Sequence, residues 1–118
     1  MQLLVAVLNQ AEAIDDVLSG FLELGITGAT VINSEGMARI LTHDVPIFAG
    51  IQTLLSGSRS QNYTVFSVIE DEAKVKAAFA LIQDVCGDMR RPGTGIVFTL
   101  PVAMVVGVAP ELGGETGL

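Results

Sequence analysis

The sequence predicts an α+β domain in which four strands form one antiparallel sheet and two helices pack together on one of its faces. Three observations carry that prediction. Four short runs rich in Val, Ile, Leu, Thr and Phe occur at residues 3–8, 26–33, 62–70 and 96–100. Two other segments, 11–24 and the stretch between Asp71 and Gly87, place their apolar residues at helical spacing instead. The order in which these alternate is strand, helix, strand, strand, helix, strand, the split arrangement of two βαβ units in one sheet.

Residues 3–8 read LLVAVL, six apolar residues without alternation, which fits a central strand covered on both faces. In the first helix Ile14, Val17, Leu18, Phe21 and Leu22 fall on one side. Glu12, Asp15, Asp16, Ser19 and Glu23 take the other, and Gly25 is the stop. Residues 26–33 are rich in Thr, Val and Ile, and Asn33-Ser34-Glu35-Gly36 follows as a turn signal.

Residues 37–61 then connect the second strand to the third, and structureless connections of that length are uncommon in compact domains. Asp44 can cap, Pro46 suits a first turn, and Ile47, Phe48, Ile51, Leu54 and Leu55 cluster on one side before Gly57. The pattern predicts a short amphipathic helix inside the connection. The third strand, 62–70, leads to Asp71 as the cap of a second helix, which presents Val75, Ala78, Phe79, Ile82 and Cys86 on one face. A loop at 88–95 precedes the fourth strand, 96–100. Residues 103–108 are a candidate further edge strand, and 109–118 read as a flexible tail, being from Glu111 onward too Gly-rich and polar to pack.

This βαββαβ order is that of ferredoxin-like folds, with both helices on one face of the sheet. The first strand is apolar at Leu3, Val5 and Val7 as well as at Leu4, Ala6 and Leu8, so the face away from the helices also requires cover, most simply by another copy of the chain. A single domain spans 1–108.

Composition narrows the function classes. Of 118 residues, 50% are hydrophobic and only 16% charged, with mean hydropathy +0.58, which excludes a disordered chain and points to oligomerisation. The net charge of −7 argues against binding a nucleic-acid backbone or an anionic membrane. One cysteine, Cys86, and one histidine, His43, cannot build a zinc site within one chain, and the lack of a disulfide fits a reducing cytoplasm. The longest uncharged stretch, 96–110, has 15 residues and is broken by Pro101 and Gly107, too short to span a bilayer. The apolar N-terminus has no Lys or Arg ahead of it and does not read as a signal peptide. The expectation is a soluble, cytoplasmic protein.

Residues 22–31, LELGITGATV, then GMAR at 36–39, GTGIVF at 93–98 and Pro101-Val102 resemble, in this order and spacing, the PII nitrogen-regulatory protein family. The resemblance runs over about residues 1–108. It implies a homotrimer of ferredoxin-like subunits that is not an enzyme, transduces a signal by binding an adenine nucleotide such as ATP, ADP or AMP in clefts between subunits, and regulates a partner enzyme or membrane transporter through the connection at 37–61. From the net charge and the lack of a spanning stretch, no contact with nucleic acid and no insertion into a membrane are expected. The chain departs from typical members at three places. Ile96 follows Gly93-Thr94-Gly95 where they have a phosphate-binding lysine, Asn62 stands where they have a lysine near the start of the third strand, and residues 106–111 contain no counterpart of their C-terminal pair of arginines. This marks a divergent, PII-like branch. The competing expectation is a structural or interaction trimer that has lost nucleotide binding.

Seven residues are candidates for the ligand site. Arg90 and Arg91 gather two of the chain's six cations beside Gly93 and Gly95, whose backbone can approach an anion without a Cβ in the way, though an ordinary loop with solvated arginines accounts for the same residues. By resemblance, Arg39 matches a phosphate-contacting arginine, and Thr30 and Gly36 match nucleotide-pocket positions. A surface arginine, a strand threonine and a turn glycine are their ordinary readings. His43 reads as an exposed residue before a helix cap, Cys86 as a small buried hydrophobe, and Asp15 with Asp16 as a solvated helix face. No nucleophile is paired with a base, so neither a catalytic constellation nor a metal site is predicted.

Overall fold

In the computed structural model, which describes residues 1–37, 40–41, 62–91 and 94–113, the elements run β1 (Gln2–Leu8), α1 (Ala11–Glu23), β2 (Thr30–Ser34), β3 (Asn62–Ile69), α2 (Glu72–Cys86) and β4 (Gly95–Pro101). The four strands form one antiparallel sheet in the order β2-β3-β1-β4, consistent with a ferredoxin-like fold. Gln2–Leu8 is central, as its unbroken apolar run requires. Leu4, Ala6 and Leu8 point to the helices and are fully buried or nearly so with Val17, Phe21, Val65, Ile69, Ala78 and Ile82, which together make the core. The two helices approach closely at Gly20, where a Cβ would lie 2.5 Å from the Leu81 side chain.

The chain punctuates its helices with local chemistry. Helix α1 ends in a Schellman motif: the Ile26 amide donates to the Phe21 carbonyl at 2.8 Å and the Gly25 amide to the Leu22 carbonyl at 3.0 Å. Gly25 takes the left-handed conformation this needs, φ +88°, and Ile26 is buried in the same cluster as Phe21. Asp71 caps α2 by accepting from the Ala73 amide at 2.9 Å, as expected.

On the far side of the sheet the register aligns a row Thr30, Phe66, Val5, Phe98, flanked by Val68, Leu3, Leu100 and by Ile32, Thr64, Val7, Ile96. This surface is apolar across all four strands, and no helix among the described residues lies over it. Val5 is 7% exposed between its two phenylalanine neighbours, while Ile96 is 55%, Leu100 48% and Ile32 48% exposed.

Several sequence expectations require correction. The second strand starts at Thr30 rather than residue 26, because 26–29 serve the helix end and a close approach of the C-terminal segment: a Cβ on Gly28 would meet that of Ala109 at 2.6 Å. Residues 103–108 form no strand. Pro101 already pairs with Gln2 and the Val102 amide with the Met1 carbonyl, so the chain has run past the end of its neighbour β1 and has nothing left to pair with. Within the segment read as a tail, Pro110, Glu111 and Leu112 are tied to the domain by hydrogen bonds. The helix expected around residues 44–57, His43, and residues 114–118 lie outside the described residues.

Candidate functional site

Two concavities hold three of the described candidates, Arg90 and Gly95 beside β4 in one and Thr30 on β2 in the other, at opposite edges of the sheet. The first, about 490 Å³, sits where α2 gives way to β4 and is lined by Phe79, Gln83, Asp88, Met89, Arg90 and Gly95 together with Ile96 and Val97. The turn at its mouth is organised by Asp88, whose Oδ1 accepts both the Arg90 amide at 3.0 Å and the Arg90 Nε at 3.1 Å. The Arg91 amide donates to the Asp88 carbonyl at 3.1 Å, and Thr94 Oγ1 donates to the Arg91 carbonyl at 2.9 Å. The Arg90 guanidinium and its amide hold the Asp88 carboxyl below the usual carboxylate range. The Arg90 side chain is 93% exposed, so it can swing from Asp88 to an incoming anion at little cost.

Gly95 has a structural reason to be glycine. Its φ is +130°, and a Cβ there would lie 2.5 Å from the Val7 carbonyl oxygen. The tight start of β4 beside Gln2–Leu8 therefore requires it whether or not a ligand binds. Gly36 is similar in kind: its carbonyl accepts the Ile40 amide at 3.2 Å, and a Cβ would press on the Asn62 side-chain nitrogen at 3.0 Å.

The second concavity, about 360 Å³, holds Thr30. Its floor is Leu3, Phe66 and Val68 on the helix-free face of the sheet, one side is Gly28, Ala29 and Thr30, and the opposite wall is residues 105–109. Ser67 Oγ donates to the Gly28 carbonyl at 2.6 Å, fixing the backbone just ahead of Thr30. None of the residues lining this pocket is charged. It suits an uncharged, flat or apolar group, with the Thr30 hydroxyl as a polar contact.

A single chain therefore does not assemble the predicted site. Arg90, Arg91 and Gly95 gather at the β4 edge near Leu8. Thr30 lies on the opposite edge strand, β2, level with Val5, so it is three strands across the sheet from Gly95 and about 10 Å away along the strand direction at strand rise. Arg39 and Gly93 lie outside the described residues. Sequence reasoning missed Ser67 and the wall at 105–109. Ser67 carried a signal, being a polar residue at a core-facing position between the apolar Val65 and Ile69. The wall carried none, because an exposed apolar loop and an edge strand share the same composition.

Burial pushes the Cys86 thiol up, which disfavours a thiolate nucleophile. Among the described residues no group of His, Cys, Asp and Glu is placed to hold a metal ion, and no helix is long and apolar enough to cross a membrane. Compared with models of known protein families and with curated protein sequences, the chain matches none.

Proposed function

We propose that this chain is a non-enzymatic, PII-like signal-transduction protein of the cytoplasm, linked to nitrogen regulation by its resemblance. It works as a homotrimer that binds a small anionic ligand, an adenine nucleotide, between subunits. One observation carries the reading: the cationic turn at Arg90 and the neutral pocket at Thr30 are complementary halves that one chain keeps apart. A ring of identical chains, each offering its β4 edge to the β2 edge of the next, brings the halves together through a heterologous, closing contact. The apolar sheet face supports the same assembly, since burying it contributes roughly 25 cal/mol for each Å² removed from water. In this arrangement Thr30 borders the uncharged part of the ligand, and Arg90, Arg91, Gly95 and, by resemblance, Gly36, Arg39 and Gly93 surround its phosphates. The connection at 37–61 is the surface that meets the regulated enzyme or transporter.

A second reading has its own observation. The Thr30 pocket carries no cation, and the background charge on three copies is threefold the −7 of one, so the site must hold an anion against net repulsion. A structural trimer that has given up its ligand fits that as well. Isothermal calorimetry with ATP, ADP, AMP and cyclic nucleotides, with and without magnesium, separates the two. The ligand-binding reading expects saturable heat for at least one of them, and a loss of affinity of about tenfold or more in Arg90→Ala with Arg91→Ala. Absence of heat throughout leaves the structural trimer.

A further inference from the structure

We propose that residues 105–112 act as a strap that builds one wall of the Thr30 pocket, and that Glu111 is the positioning residue that holds this strap closed. The inference rests on the reading of that pocket as a ligand site, and it adds how the site is kept in shape.

The contacts that fix the strap are concentrated at its C-terminal end. The Glu111 carboxylate accepts from the Glu70 amide at 3.0 Å and from the Asp71 amide at 3.4 Å, which seats it on the junction of β3 and α2. Lys74, in the first turn of α2, stands 3.9 Å from Glu111 Oε1 and donates its Nζ to the Leu112 carbonyl at 2.5 Å. The Leu112 amide in turn donates to the Gly25 carbonyl at 2.8 Å, and Thr27 Oγ1 donates to the Pro110 carbonyl at 2.5 Å. The Glu111 and Lys74 side chains are only 16% and 15% exposed, so this ion pair is screened far less than the solvated Arg90 and Asp88 pair.

The sequence makes room for this seat. A Cβ on Gly25 would collide with the Leu112 carbonyl, and one on Gly28 would overlap that of Ala109. The two glycines that flank Ile26-Thr27 thus serve the strap. Upstream the strap has little of its own to hold it: Val105 to Ala109 donate no backbone hydrogen bond to another described backbone group, and Val106 is 97% exposed. The pocket wall therefore keeps its position through the latch at Glu111. Glu70, Asp71 and Glu72 add negative charge to the same corner, which Lys74 offsets. By linkage, a ligand that needs the wall in place tightens the latch, and the first turn of α2 then registers occupancy of the pocket.

The test compares the full-length protein with Lys74→Met, Glu111→Gln and Glu111→Ala. Hydrogen exchange at the Leu112 amide reads the latch. The rate at which a thiol reagent modifies Val68→Cys, in a Cys86→Ala background, reads access to the pocket floor. Closure by the latch predicts that Glu111→Ala and Lys74→Met each speed Leu112 exchange at least tenfold and Val68→Cys labelling at least threefold. Glu111→Gln, which keeps acceptors for the Glu70 and Asp71 amides, falls between them and the parent, and amide exchange in the Gln2–Leu8 strand is unchanged in all. Unchanged exchange at Leu112 overturns the latch. Faster exchange with unchanged labelling overturns its control of the pocket. Titration with ATP tests the underlying reading separately: no heat with ATP removes the nucleotide while the two rates still decide the strap, and heat without slower Leu112 exchange removes the coupling between them.

Discussion

The two faces of the sheet are built from the same strands and similar apolar residues, yet only one is closed over by helices of the described chain. On the helix side Leu4, Ala6, Leu8, Val65 and Ile69 are 0–1% exposed, closed over by Val17, Phe21, Ala78 and Ile82. On the other side the Phe66, Val5, Phe98 row and the Leu3, Val68, Leu100 row are of equal hydrophobicity, and Ile96, Phe98 and Leu100 remain 38–55% exposed. Burial thus follows from what the chain supplies to pack against and not from residue type. Large contiguous apolar surfaces of this kind are characteristic of interaction sites.

Truncating each face once sharpens that contrast. Phe21→Ala removes a fully buried ring from the helix side and should lower stability by about 3–5 kcal/mol, read as the denaturant midpoint at unchanged slope. Phe98→Ala on the open face should act differently: if other copies cover that face, its effect on stability is largest at high protein concentration and shrinks with dilution as the assembly dissociates. Were the Phe98→Ala penalty small and independent of concentration, the open face would be no interface.

The comparison also shows how much the sequence could reveal. Both helices, their stops at Gly25 and Gly87 and the Asp71 cap were legible because periodicity and capping are local properties. The unbroken apolar run at residues 3–8 was legible as a central strand. The start of the second strand at Thr30 was not, because Ile26 and Thr27 have strand-like composition while their backbone is committed to the Schellman turn and to Pro110. Residues 103–108 misled for the same reason in reverse. Their β-branched residues suit a strand, but pairing needs a neighbour, and Gln2–Leu8 ends at Gln2. Of the candidate site, residue types were legible and placement was not: nothing local says that Arg90 and Thr30 stand at opposite edges of one sheet.

The smallest effect belongs to the exposed turn beside the β4 edge. The Arg90 guanidinium and amide lower the folded-state value of the Asp88 carboxyl below its unfolded one, so whatever stability the contact contributes is present above the ordinary carboxylate range and is lost as pH falls through the folded value. Asp88→Asn should flatten only that acid limb in a series of melting curves and leave the melting temperature at neutral pH nearly unchanged. A marked drop at neutral pH would mean that the turn carries more of the fold than its exposure implies.

The account's central claim is that copies of this chain cover the open sheet face and thereby unite the Arg90 turn of one subunit with the Thr30 pocket of the next. Light scattering coupled to size exclusion, at micromolar protein concentration, tests it most directly. The account predicts a single species of three times the 12.3 kDa chain mass. A stable monomer of 12.3 kDa at that concentration would contradict it, because the apolar face would then stay open and the two halves of the site apart.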